Sequence, residues 1–132
     1  MEVRAARLLI VDDEPQIRDM LAEFFADEGY EVVIAEDVPT ALRLLSDRVD
    51  AIISDIRMPG MTGIDFLKSV RGVNPNLGVF LITGYPTLET VVDARVHGAV
   101  AYFRKPIDLD DIQRRIRAFL AIPKVAPDGA SI

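Results

Sequence analysis

Short apolar runs alternate along the chain with segments whose apolar residues recur every three or four positions. A continuous apolar run of four or five residues is typical of a strand that is buried on both faces, whereas the second spacing is typical of an amphipathic helix. The predicted strands are residues 7–11, 31–35, 51–55, 77–83 and 101–104. Five strand–helix units in succession predict an α/β protein whose parallel sheet has helices on both faces.

Capping residues and helix breakers place the helices between these strands. Pro15 is suited to the first turn of one helix, and Asp37 is suited to N-cap a second helix whose apolar residues reach Val49. The other three helices are predicted at residues 63–70, 86–97 and 108–122. The residues that we expect to end helices are Gly29, Gly72, Pro75 and Gly98.

Length, composition and charge narrow the class of protein. The chain has 132 residues, of which half are apolar, so we expect one domain at residues 1–122 and a C-terminal tail or linker at residues 123–132. A net charge of −6 argues against direct nucleic-acid binding, which needs clustered Lys and Arg. The chain has no cysteine, no apolar stretch of about 18 residues and no apolar signal-peptide core, so we expect a cytoplasmic protein with no membrane partner.

Polar side chains stand where four of the predicted strands end. These residues are Asp12 and Asp13 after the first strand, Asp55 at the end of the third, Thr83 at the end of the fourth and Lys105 after the fifth. For five such units we predict the flavodoxin-like, doubly wound (βα)5 fold with strand order 2-1-3-4-5, in which the first and third strands are neighbours. We therefore expect the carboxylates, the hydroxyl and the ammonium at one edge of one sheet.

Such a group of side chains is suited to binding a divalent cation and accepting a phosphoryl group. Three aspartates and one lysine leave a charge of −2, and two unit charges about 4 Å apart interact by roughly 4 kcal/mol at an effective dielectric near 20. Mg²⁺ offsets that charge and prefers carboxylate oxygens, and Asp55 could then accept a phosphoryl group as a nucleophile. Each residue alone has a simpler interpretation, such as an N-cap for Asp12 or Asp13. Their coincidence at four strand ends favours a site.

With these residues the chain resembles the receiver domains of bacterial two-component response regulators. The resemblance covers residues 7–120. The motifs that carry it are LIVDDEP at 9–15, SDIRMPGMTG at 54–63, LITG at 81–84, and the segment from Gly98-Ala99 through Tyr102 to Lys105-Pro106. In this order and spacing they are highly specific.

The resemblance implies a role for each site residue. Asp55 would be the phosphoacceptor, and a sensor histidine kinase or a phosphotransfer protein would be the partner that supplies the phosphoryl group. The implied Mg²⁺ ligands are Asp12, Asp13, Asp55 and the backbone carbonyl of Arg57. The implied phosphoryl-binding and switch residues are Thr83, Tyr102 and Lys105, and Pro106 would shape the loop of that lysine. Arg57 and Tyr85 stand where side chains can shield the phosphoryl group from water.

The resemblance also implies a signalling domain rather than an enzyme, with only self-phosphotransfer and slow autodephosphorylation. The fourth helix has more apolar residues than one buried stripe needs, and the fifth separates acidic from basic residues. We therefore expect phosphorylation to strengthen a homodimer formed through the fourth helix, the fifth strand and the fifth helix.

Two other classes of function stay open from the sequence alone. The first is a catalytic or ligand-binding flavodoxin-like protein, although the acidic turn at residues 12–15 is no glycine-rich phosphate cradle. The second is a receiver-like scaffold that acts by protein–protein interaction without phosphorylation. Such a scaffold would usually have lost part of the acidic set, which is complete in this chain.

Overall fold

Strands and helices alternate along the chain as the sequence pattern predicts. The structure is a computed structural model, and it describes residues 5–122; the predicted tail at residues 123–132 lies outside the described residues. The strands are β1 (Arg7–Val11), β2 (Glu31–Ala35), β3 (Ala51–Asp55), β4 (Gly78–Thr83) and β5 (Ala101–Arg104). The helices are α1 (Pro15–Asp27), α2 (Val38–Leu44), α3 (Gly63–Val73), α4 (Leu88–Val96) and α5 (Leu109–Ala121). Among residues 5–122 no helix has the length and apolar character needed to cross a bilayer.

The five strands form one parallel sheet in the order β2-β1-β3-β4-β5, which confirms the predicted flavodoxin-like topology. Successive residues of a strand point to opposite faces, so each central strand contributes to two cores. One core contains Leu9 and Ile52, and the other contains Leu8 and Ile53. Helices cover both faces, since α2 and α3 pack on the first core and α1 and α5 pack on the second.

The strand register brings two aspartates to one place. Val11 of β1 pairs with Ser54 of β3, so the next residues, Asp12 and Asp55, leave the sheet side by side. From this point the chain turns towards β2 on one side and towards β4 on the other, which makes it the switch point of the sheet.

Two helices end more than one residue away from where the sequence predicts. Helix α2 ends at Leu44 rather than near Val49, because the N–H groups of Leu45, Ser46 and Asp47 each donate to the carbonyl three residues earlier and the chain leaves the helix in tight turns. Helix α3 continues through Gly72 to Val73, so the prediction that Gly72 ends it was wrong. It is Pro75 that stops this helix, since the residue before a proline is pushed out of the helical region.

The remaining caps follow the expected chemistry. Asp37 and Asp108 accept hydrogen bonds from backbone N–H groups of the first turns of α2 and α5. Thr87 caps α4, so that helix begins at Leu88, two residues after the predicted start. Gly29 and Gly98 have φ values of 96° and 83° just after α1 and α4, as expected of glycines that end helices.

Gly63 allows α3 to begin directly against the end of β3. Its backbone N–H donates to the Ile56 carbonyl at 2.9 Å. A Cβ at this position would lie 2.8 Å from the Ile56 Cα and would also overlap the backbone carbonyl of Asp55. Because these are main-chain atoms, a side chain here displaces the strand end that carries Asp55.

We predict that Gly63→Ala lowers the free energy of unfolding by about 1–3 kcal/mol, the usual cost of overpacking. Gly72→Ala is the matched control, because a Cβ at Gly72 meets no atom within 4 Å and alanine favours the helix by up to about 1 kcal/mol. Urea unfolding of the two variants measures both effects. Equal stabilities would contradict the close packing of α3 on β3.

Candidate functional site

Three carboxylates converge at the switch point of the sheet. Asp12 and Asp13 follow β1 and Asp55 ends β3, and one oxygen from each lies within 4.8 Å of the others. Asp12 is 1% exposed and Asp55 is 3% exposed, whereas Asp13 is half-buried. The structure therefore brings together the three acidic residues that the sequence predicts as a site.

The two oxygens of Asp12 differ in their surroundings. Oδ1 accepts a hydrogen bond from the backbone N–H of Glu14 at 2.9 Å. Oδ2 is buried and accepts no hydrogen bond from residues 5–122, and the Lys105 Nζ lies 3.8 Å from it. The N-cap of α1 is Glu14, so Asp12 and Asp13 are not present merely to cap that helix.

The carboxylate of Asp55 has a cation on one side and a backbone amide on the other. Its Oδ2 accepts a hydrogen bond from Lys105 Nζ at 3.2 Å, and its Oδ1 accepts one from the Arg57 N–H at 3.3 Å. Burial raises the pKa of Asp55, although both of these partners oppose the rise. Burial, reinforced by the charge of Asp55, raises the pKa of Asp12 to about 6.

Lys105 contacts a fourth acidic residue that the sequence analysis did not assign to the site. Its Nζ lies 2.6 Å from Glu14 Oε1, which is its shortest ionic contact. Burial opposes the charged form of Lys105, but the Glu14 hydrogen bond and the charges of Asp12 and Asp55 outweigh it and raise the pKa of the ammonium. The sequence signal for Glu14 is the run Asp12-Asp13-Glu14, which places a third carboxylate directly after the two aspartates.

Thr83 ends β4 and Tyr102 lies on β5, and no hydrogen bond joins their side chains among residues 5–122. Thr83 is fully buried at the end of β4, and its Oγ1 accepts a hydrogen bond from the Tyr85 N–H at 3.0 Å. Tyr102 is half-buried on β5, and its hydroxyl lies 2.7 Å from the Thr90 hydroxyl on α4. Thr90 is a second residue that the sequence analysis missed, because no strand end or motif marks it.

The loops after β3, β4 and β5 complete the surroundings. The Arg57 guanidinium lies over the Tyr85 ring, 4.5 Å from its centroid, so the loops after β3 and β4 are in contact. The backbone N–H of Lys105 donates to the Thr83 carbonyl at 2.9 Å, and the Lys105–Pro106 peptide bond is cis. The lysine loop is thus bonded directly to the end of β4.

The acidic group fits a divalent cation that prefers oxygen. It offers three carboxylates at short mutual distances, and one buried oxygen, Asp12 Oδ2, receives no hydrogen bond from residues 5–122. Mg²⁺ takes few protein ligands and keeps several waters, which suits a group that is partly open through Asp13.

Comparison with known proteins agrees with this arrangement. Residues 8–117 match the family described as the response regulator receiver domain. The chain belongs to this family. The fold neighbours of this receiver domain include the CheY-like receiver domain protein of Methanospirillum hungatei JF-1, with a TM-score of 0.86, 32% identity and coverage of 89% of this chain and 94% of that one.

The relatives of this receiver domain include both long and short proteins. It is 42% identical over 117 residues to the regulatory protein AtoC of Escherichia coli (strain K12), a match that covers 88% of this chain but only 25% of AtoC. It is 34% identical to the sporulation initiation phosphotransferase F of Bacillus subtilis (strain 168), covering 88% of this chain and 94% of that protein. The chain therefore spans about a quarter of one relative and nearly all of the other.

One solved structure of a similar protein contains magnesium. The response regulator TrrA of Thermotoga maritima was crystallised in complex with Mg(2+)-BeF. It is 31% identical to this receiver domain, with a TM-score of 0.78 and coverage of 86% of this chain and 98% of that one.

We predict that Asp12→Asn stabilises the metal-free protein at neutral pH. The pKa of Asp12 is about 6 in the folded state, against 3.8 for an ordinary aspartate, so folding favours the protonated acid. The stability that comes from this preference is fully present below about pH 4 and is lost as pH rises through about 6, at a cost of about 3 kcal/mol. Unfolding of the wild type and of Asp12→Asn in excess chelator at pH 4 and pH 7 measures this pH dependence of stability.

The free energies of unfolding of Asp12→Asn and the wild type should be similar at pH 4, and the variant should be the more stable of the two at pH 7. Asp19→Asn, which alters an exposed carboxylate on α1, is the control and should leave the pH dependence unchanged. A variant that is less stable than the wild type at pH 7 would contradict the burial cost assigned to Asp12.

Proposed function

We propose that this receiver domain accepts a phosphoryl group on Asp55, in a reaction that depends on Mg²⁺, and changes its surface to control an output. The donor would be the phosphohistidine of a sensor histidine kinase or of a phosphotransfer protein. The observation that carries the proposal is the buried Asp55 carboxylate, with Lys105 Nζ 3.2 Å away and two further carboxylates beside it. The name of the Bacillus relative, a phosphotransferase, supports phosphoryl chemistry in the family.

The transfer step uses one oxygen of Asp55 as the nucleophile. That oxygen forms a bond to phosphorus while the bond from phosphorus to the donor breaks, and the donor takes the electron pair. A phosphohistidine donor leaves as imidazole, which takes a proton from water, and acetyl phosphate leaves as acetate. Lys105 would neutralise charge on the phosphoryl oxygens, since such transfers are accelerated mainly by positioning and electrostatics.

Asp12, Asp13, Asp55 and the backbone carbonyl of Arg57 would hold Mg²⁺. When bound, the ion supplies positive charge that offsets the carboxylates and the phosphoryl oxygens. The chain's own contribution is to hold these oxygens at the strand ends, where the hydrogen bonds from Glu14 N–H to Asp12 and from Arg57 N–H to Asp55 orient the carboxylates.

Phosphorylation would act on the surface through Thr83 and Tyr102. A phosphoryl group adds charge and acceptor oxygens near the end of β4, which would draw the Thr83 hydroxyl away from the Tyr85 N–H. The space beside Thr83 then admits Tyr102, which gives up its bond to Thr90 on α4. Helix α4 is suited to respond, because Ala94 is the one buried residue described in it.

The proposed domain has no enzymatic role beyond self-phosphotransfer and slow autodephosphorylation. Arg57 and Tyr85 stack on each other beside the phosphoacceptor and would limit the access of water to the phosphoryl group. The set of Asp12, Asp13, Asp55, Thr83 and Lys105 is complete, which favours a phosphoacceptor over a scaffold that works without phosphate.

The output surface would be the face made by α4, β5 and α5. Leu88 is 81% exposed and Val96 is 70% exposed on α4, and both are apolar. Arg114 and Arg115 on α5 are exposed beside the acidic start of that helix. We propose that this face pairs with a second copy after phosphorylation, and that neither nucleic acid nor a membrane is a direct partner of the domain.

We predict a single phosphoryl adduct on Asp55. Incubation with acetyl phosphate and Mg²⁺, followed by intact mass measurement, should show one adduct in the wild type and none in Asp55→Ala. Asp13→Asn, which removes one ligand and one charge, should weaken Mg²⁺ binding and slow the transfer. An equal adduct in Asp55→Ala would refute the assignment, and full-rate transfer in excess chelator would refute the metal role.

The switch should be visible in amide chemical shifts. We expect a beryllofluoride mimic to shift the signals of Thr83, Tyr102 and Thr90 together, because one hydroxyl moves and another bond breaks. Thr90→Val removes the partner of the Tyr102 hydroxyl and should move the unliganded spectrum towards the liganded one. Unchanged shifts at these residues with the mimic demonstrably bound would rule the switch out.

Association should strengthen in the activated state. Sedimentation with and without the beryllofluoride mimic is expected to show a lower dissociation constant for the dimer when the mimic is bound, since only a state that differs in energy can change the pairing. Leu88→Gln, on the exposed face of α4, should abolish that gain. Identical association constants would leave a different protein as the partner of this face.

A further inference from the structure

Glu14 holds the ammonium that the phosphoryl group needs. Lys105 Nζ lies 2.6 Å from Glu14 Oε1, 3.2 Å from Asp55 Oδ2 and 3.8 Å from Asp12 Oδ2. The shortest of these three contacts is therefore made to the carboxylate outside the predicted metal group. It joins the loop after β1 to the loop after β5 across the mouth of the site.

The side chain of Glu14 has no other structural task in the described residues. Glu14 is the N-cap of α1, but its side chain makes no capping hydrogen bond there. Its side chain is 58% exposed, whereas those of Asp12 and Asp55 are 1% and 4% exposed. An exposed carboxylate is not needed to fill space, so its position against Lys105 is its distinguishing contact.

Two physical effects of Glu14 act in the same direction. It adds one negative charge to a site where Asp12, Asp13, Asp55 and Lys105 already leave −2, and every phosphoryl donor is an anion that such charge repels. It also occupies the ammonium of Lys105, which must turn towards the phosphoryl oxygens once Asp55 carries them.

We propose that Glu14 competes with the phosphoryl group on Asp55 for Lys105, and so slows the loading of Asp55 and weakens the loaded state. This inference rests on the proposed function of Asp55. Glu14 is thus a positioning residue that acts through Lys105, and its identity sets how readily this receiver domain is activated.

Glu14→Gln removes the charge and keeps the length of the side chain. Glu36→Gln is the matched control, because Glu36 is exposed just after β2 at the same edge of the sheet and contacts neither Lys105 nor Asp55 among the interactions of residues 5–122. We expect Glu14→Gln to bind beryllofluoride about five-fold more tightly in the presence of Mg²⁺ and to load from acetyl phosphate faster by a similar factor, the worth of one partly exposed ion pair. Glu36→Gln should stay within about two-fold of the wild type, since it changes only the distant field.

Two further measurements distinguish an effect of the Glu14–Lys105 contact from the general effect of removing one negative charge. In the metal-free protein the side-chain NMR signals of Lys105 should shift in Glu14→Gln and not in Glu36→Gln. In a Lys105→Met background the gain from Glu14→Gln should fall to the size of the Glu36→Gln effect, because the residue through which Glu14 acts is gone.

The possible results distinguish a failure of the proposed function from a failure of the competition between Glu14 and the phosphoryl group. A wild-type protein that takes up no phosphoryl group on Asp55 would overturn the proposed function and this inference with it. If the wild type is phosphorylated, two results would overturn the competition alone. The first is that Glu14→Gln and Glu36→Gln behave alike, and the second is that Glu14→Gln binds beryllofluoride more weakly than the wild type. A gain that persists in full with Lys105→Met would also overturn it, because Glu14 would then act on the donor and not on the lysine.

Discussion

The charge balance around Lys105 is the constraint on which the site depends. Asp12 and Asp55 are almost fully buried, and burial disfavours their charged forms, as their raised pKa values show. Lys105 lies within 4 Å of both and of Glu14. Because two unit charges about 4 Å apart interact by roughly 4 kcal/mol at an effective dielectric near 20, the acidic group is tolerable only with this ammonium, a proton or a metal ion nearby.

The packing of the two cores holds the charged side chains of the site close together. The two cores hold β1 and β3 in fixed register, and the register delivers Asp12 and Asp55 side by side. Gly63 lets α3 start directly against the end of β3, the strand that carries Asp55. The well-packed sheet therefore supports a destabilising cluster of carboxylates that a loosely packed scaffold would let spread apart.

Strand β5 and the residue that follows it make polar contacts towards the site and towards α4. The Lys105 N–H is bonded to the end of β4, and Tyr102, three residues before Lys105, is bonded to Thr90 on α4. Helix α4 has several exposed apolar residues and little buried surface, so its position costs less to change than that of its neighbours. In the proposed switch, a change of charge at Asp55 reaches this apolar face through these polar contacts.

The sequence by itself determined the sheet order, the two layers of helices and the placement of five polar residues at strand ends along one edge: Asp12, Asp13, Asp55, Thr83 and Lys105. It could do so because apolar runs mark buried parallel strands and the carboxyl ends of such strands share one edge. Only the tertiary structure decided the contacts of Glu14, Thr90 and the stacked Arg57 and Tyr85. Each of these joins two separate loops or elements, so it depends on the path of the chain and on side-chain rotamers, which no local pattern records. The ends of α2 and α3 differ from the prediction for a related reason, since the tight turns after α2 and Pro75 after α3 outweigh the apolar spacing and Gly72.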